Sequence, residues 1–137
     1  MILDNSTPFI HLRNHTAYSI AEGALSISSI VEFCKKYEMP AVAITDTNNI
    51  FGGVKFSTTM VDKGIQPIFG TQLSVDFNLP TSIFAKKELS ELVLLVKNDV
   101  GYRNLIKLLS IAYTQKLDTD PPGILESVLY ENTEGLI

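Results

Sequence analysis

Ile27, Ile30, Val31, Cys34 and Tyr37 recur three and four positions apart, which places them on one stripe of a helix. Ser26, Ser28 and Ser29 stand at its start as candidate N-caps, and Lys35 and Lys36 fall in its last turn, where the helix dipole favours cations. Pro40 ends this helix, and the unbroken apolar run AVAIT, Ala41 to Thr45, has the length of a strand. Upstream, FIHL from Phe9 predicts a shorter strand, followed by a long polar loop, RNHTAYSIAEG. Downstream, TDTNN is rich in turn residues, and Phe56 and Met60 with Gly64 as the stop predict a second helix. Gly52, Gly53 and three hydroxyl residues weaken that helix, and the glycines fit close packing.

Ile65 to Phe77 reads as a strand open to interruption at Gly70, residues 78–90 as a loop, and Leu92 to Val96 as a further strand. Asn98 then caps a helix with the stripe Tyr102, Leu105, Ile106, Leu109, Ala112 and Tyr113, whose tyrosines are expected to pack in the core. Beyond DTDPPG, Ile124 to Tyr130 predicts a short helix, and Gly135-Leu136-Ile137 reads as the start of another strand. Strands apolar throughout, alternating with helices, define an α/β class with a parallel sheet covered on both faces.

The 137 residues, 45% hydrophobic and 19% charged, suit one domain around one core. A net charge of −4, with basic residues paired only at Lys35-Lys36 and Lys86-Lys87, argues against a free-standing nucleic-acid binder. Cys34 alone makes neither an internal disulfide nor a thiolate metal site. Apolar runs of five residues are far too short to cross a bilayer, and no basic segment leads into an apolar stretch at the N-terminus. A cytoplasmic location, with no membrane partner, is therefore expected.

Functional side chains of parallel α/β folds project beyond the C-terminal ends of strands. That places His11, Arg13 and His15 after the first predicted strand, Asp46 after the second and Gln72 within the third. Together with Glu22 they permit a site of histidines and carboxylates for a metal, but TDTNN serves equally as a turn with Asx hydrogen bonds. No G-x-S-x-G elbow or phosphate-cradling glycine loop is present, and Cys34 lies on an apolar helix stripe, as a buried small hydrophobe would.

Four blocks, FIHLRNHTAYSIAEGA, MPAVAITDTNNIFGGVKF, GIQPIFGTQLSV and LVLLVKNDVGYRNLIKLLSIAYT, closely resemble the N-terminal PHP (polymerase and histidinol phosphatase) domain of the bacterial replicative DNA polymerase III alpha subunit. The resemblance runs collinearly from Phe9 to Ile137 and implies the first part of a PHP-type (β/α)7 barrel. The resemblance also identifies metal-site positions. The family's H-x-H reads Arg13 and His15, its following acidic residue falls at Glu22, and its D-H-G-N loop reads Asp46-Thr47-Asn48-Asn49. The carboxylate of its G-x-E motif is Gln72, and a histidine ahead of its L-V-L-L strand corresponds to Glu91. With imidazoles and a carboxylate replaced and a guanidinium added, the set Arg13, His15, Glu22, Asp46, Thr47, Gln72 and Glu91 is expected to form a degenerate, metal-free site. Arg13 is expected either to pair with Asp46 or Glu22 or to point into solvent.

What the resemblance implies is a non-catalytic scaffold within a DNA-directed DNA polymerase (a nucleotidyltransferase of DNA replication). The chain would contact the rest of the alpha subunit and the proofreading exonuclease subunit, and would meet DNA only through the parent enzyme. No cofactor is expected for the chain itself, and Mg2+ for the parent. The rival reading is a metal-dependent phosphoesterase or 3′-5′ exonuclease, needing Zn2+ or Mn2+, with His15, Glu22 and Asp46 as residual ligands. Residues 1–137 are expected to be the N-terminal portion of a PHP domain, truncated before the barrel is complete, and unpaired edges of such a piece favour self-association.

Overall fold

The structure, a computed structural model, describes residues 8–77, 89–115 and 120–137. Helix α1, Ile27–Lys36, starts where the Ser26 hydroxyl accepts the Ser29 amide at 3.0 Å, and it buries Ile27, Ile30, Val31 and Cys34. Tyr37, assigned to the same stripe, is instead exposed just beyond the helix end. The four residues of β1, Ala41–Ile44, are all buried, as a strand covered on both faces requires. Helix α2, Gly53–Asp62, turns Phe56 and Met60 inward, and Gly64 terminates the turn with φ +73°. A Cβ at Gly52 or Gly53 would stand only 2.9 Å from the Tyr18 ring or 3.2 Å from the Phe69 ring, so both glycines do serve close packing.

Strand β2, Gln66–Asp76, continues through Gly70 without interruption and organises the sheet. Its first half pairs parallel with β1 (Ala41 opposite Gln66 to Ile44 opposite Phe69), and from Gly70 onward it pairs with β3, Ser90–Leu95. The α/β class with parallel pairing holds. The difference is that β3 runs antiparallel to β2, a geometry that needs no helical crossover between the two strands. The loop expected at 78–90 lies mostly outside the described residues. Two-residue β4, Ile124–Leu125, joins the end of β2 in parallel and leads into α4, Glu126–Tyr130, so the predicted short helix is split into strand and helix. Phe9 to Leu12 forms no regular strand. It lies beside β1, where the Ala43 amide donates to the His11 carbonyl at 2.9 Å.

Helix α3, Asp99–Thr114, is capped by the Asn98 side chain, which accepts the Gly101 amide at 3.0 Å. Its buried face is Gly101, Leu105, Leu108, Leu109 and Ala112. Tyr102, Ile106 and Tyr113, expected inside, lie on the exposed side. The turn around Gly135 sits so close to Gly101 that any side chain at position 101 would meet the Gly135 carbonyl. From there the chain adds to the outer edge of β3, with reciprocal bonds between Leu95 and Ile137 (2.8 and 2.9 Å), as a new strand would begin. Among the described residues, buried apolar side chains form two clusters, not one core. One joins α1, β1 and α2; the other joins the second half of β2 and β3 to α3, β4 and α4. The chain's long central strand serves different helices along its two halves, and the buried polar residues Thr45, Asp46, Thr71 and Gln72 belong to neither cluster.

Candidate functional site

The polar residues gather where β1 ends beside the middle of β2. Asp46 leaves β1 and is 1% exposed. Its carboxylate accepts the Thr16 amide (2.7 Å), the Thr16 hydroxyl (2.8 Å) and the Ser19 hydroxyl (2.6 Å). Its carbonyl accepts the Gln72 amide at 3.1 Å and the Thr71 hydroxyl at 2.7 Å. Three charge-assisted or hydroxyl bonds on one buried carboxylate bind the loop of residues 16–19 to the sheet. The TDTNN turn is strapped down in the same way. Asn48, at φ 53°, exchanges two side-chain bonds with Ser74, both 2.9 Å. The left-handed conformation there is one that asparagine tolerates.

Gln72 is the hub of a second network. Its amide oxygen accepts from Arg13 Nε at 2.8 Å and lies 3.2 Å from His15 Nε2, while its amide nitrogen donates to Glu91 at 2.6 Å. Because an amide oxygen only accepts, His15 Nε2 is the donor in that contact. The other ring nitrogen lies 3.4 Å from a Glu22 oxygen that also accepts the Thr47 hydroxyl. Six of the seven positions named from the sequence (Arg13, His15, Glu22, Thr47, Gln72, Glu91) therefore form one continuous chain of contacts. The seventh, Asp46, adjoins it through the backbone bond to Gln72 and keeps its carboxylate for Thr16 and Ser19.

Arg13 corrects both alternatives for its placement. It pairs with neither Asp46 nor Glu22, and although its side chain is 63% exposed it does not simply project into solvent. It bonds Gln72 and lies 3.9 Å from Glu91. His11 stays apart from the site, edge-on to Phe9 and tilted against Phe33. Thr16 and Ser19 were not singled out by sequence, since hydroxyls in a polar loop carry no periodic signal. The TAYS stretch just before Glu22 is the only hint they offered.

A PHP-type metal centre needs several convergent imidazole and carboxylate donors. Among the described residues no three His, Cys, Asp or Glu side chains converge in that way. The donors that exist are engaged within the protein: the Asp46 carboxylate is held by three protein donors, and a neutral amide and a guanidinium occupy the midst of the remaining set. In this arrangement the polar groups of the set are engaged with one another and with the 16–19 loop.

Fold and site together define an α/β domain with a polar cluster at the strand ends. The chain belongs to the PHP domain family, whose model matches residues 11–137. Within that family it is similar to DNA polymerase III subunit alpha, at 39% identity over 131 residues in Rickettsia bellii and 41% over 129 residues in Vibrio cholerae. These matches cover 96% and 94% of the chain but only 11% of each relative, so the chain spans about a tenth of their length. Among solved structures, an amidohydrolase from Chromobacterium violaceum shares the fold with a TM-score of 0.55 at 18% identity, covering 75% of this chain and 32% of that one. Among the described residues no helix is long and apolar enough to cross a membrane.

Proposed function

We propose that the chain serves as the PHP portion of a replicative DNA polymerase alpha subunit, where it is a scaffold and subunit-contact module and not a hydrolase. The observation that supports this reading most is the pairing of the family's metal positions with one another. Gln72 ties Arg13, His15 and Glu91 together, and Asp46 is spent on Thr16 and Ser19. In this reading hydrogen bonds do the mechanical work that cations do in a metal-loaded cage, which is to join loops from separate strands. The partners are the remainder of the alpha subunit and its proofreading exonuclease subunit, DNA is met through the parent enzyme, and the location is cytoplasmic. Mg2+ belongs to the parent's nucleotidyl transfer; Zn2+ or Mn2+ would serve this chain only as a hydrolase.

The test is hydrolysis of a phosphodiester dye and of 3′-labelled single-stranded DNA by the purified chain with Mn2+ or Zn2+. No rate above that of the metal alone is expected. Turnover that is lost on His15→Ala would establish the hydrolase reading instead.

A further inference from the structure

The long strand β2 changes partner at its middle. Gln66 to Phe69 pair with β1 on one edge and Gly70 to Val75 with β3 on the other, so the two ladders overlap only between Phe69 and Gln72. Gly70 stands at the change, where a Cβ would press on the Leu94 carbonyl and the Leu95 side chain. The apolar packing divides at the same place. Ile30, Val42, Phe56 and Met60 belong to one cluster, Leu73, Leu94, Leu105 and Ile124 belong to the other, and no buried residue is common to both. On the helical side, α2 and α3 stand apart across a groove of about 480 Å³.

What crosses the seam is of a different kind. The Phe69 ring meets Phe56 and Tyr102 edge to face, with centres 6.1 and 6.3 Å apart. Otherwise the links are polar: Asn48 exchanges two 2.9 Å bonds with Ser74, and the Asp46 carbonyl accepts the Gln72 amide at 3.1 Å and the Thr71 hydroxyl at 2.7 Å. A hydrogen bond exchanged with water contributes less net free energy than burial of a large apolar side chain, so a polar seam couples the two clusters weakly. We infer that the domain consists of two cooperative units. One is α1, β1, α2 and the first half of β2; the other is the second half of β2 with β3, α3, β4 and α4. Each opens without the other, with the seam at Gly70 as their boundary, so contacts made by one half survive the opening of its neighbour. The inference rests on the packing and stands whether the chain is a scaffold or a hydrolase.

The test is amide hydrogen exchange of the isotopically labelled chain, followed by NMR in rising urea below the unfolding transition. Val31, Cys34 and Met60 are expected to converge on one opening curve and Leu105, Leu109 and Ala112 on another. Both curves should depend on urea, since each opening exposes a whole cluster. Ile30→Val and Ile124→Val each trim one carbon from a single cluster, a change mild enough to keep the fold. Each should quicken exchange roughly threefold to tenfold within its own group and leave the other group unchanged. One curve shared by all the amides, exchange independent of urea in either group, or equal acceleration of both groups by either variant would each overturn the inference. Metal uptake or phosphodiester hydrolysis would refute the scaffold reading and leave this inference standing.

Discussion

Asp46 and Arg13 were both candidates for one ionic pair, and the structure gives them opposite weights. Removing the Asp46 side chain strands the buried Thr16 amide and two hydroxyls, each costing about 1–3 kcal/mol when unsatisfied. Asp46→Ala should therefore lower unfolding free energy by about 3 kcal/mol in urea titration, the losses being less than additive. Arg13→Ala removes an exposed bond and a 3.9 Å contact, and should cost under about 1 kcal/mol. Equal losses for the two variants would mean that the Asp46 bonds hold nothing. Gln72→Met keeps length and removes the hub of the second network, with an expected cost of about 1–3 kcal/mol. The resemblance located these positions in sequence, but their pairing was not legible. Arg13 and Gln72 are 59 residues apart, and no local pattern encodes which loop side chain reaches which.

At the scale of elements, apolar spacing and apolar runs anticipated the α-helices and the longer strands of the described residues, and the errors have physical causes. Helix α3 is apolar on two adjoining stripes, so spacing alone selects Tyr102, Ile106 and Tyr113 as readily as Leu108, and only packing against β2 and β3 chooses. Strand direction was equally hidden, because an apolar run such as Leu92 to Val96 reads the same whether its neighbour is parallel or antiparallel. Two measurements check the packing that decided these cases. Gly101→Ala forces the Gly135 turn off α3, so amide exchange at Leu95 and Ile137 should quicken while that of β1 stays slow. Unchanged exchange at Ile137 would place the C-terminal turn elsewhere. Cys34 is 1% exposed and burial pushes its thiol pKa up, so alkylation at neutral pH should be negligible until denaturant unfolds the chain. Rapid modification of the native chain would contradict the packing of α1.

At the scale of the whole molecule, two apolar clusters stand beside a polar belt in which the loop carrying Arg13 and His15 is joined by side-chain bonds to strands β2 and β3. The α/β class and the PHP family were readable from long collinear blocks, and the belt was not, since it depends on side chains distant in sequence meeting across the sheet. That belt is also what makes the central claim testable. The most direct measurement is the metal content of the purified chain by plasma mass spectrometry, after equilibration with Zn2+, Mn2+ or Mg2+ and desalting. A hydrogen-bonded belt predicts substoichiometric metal of every kind, with no gain in thermal stability from any of the three ions. Stoichiometric metal that stabilises the chain and disappears in His15→Ala would contradict it.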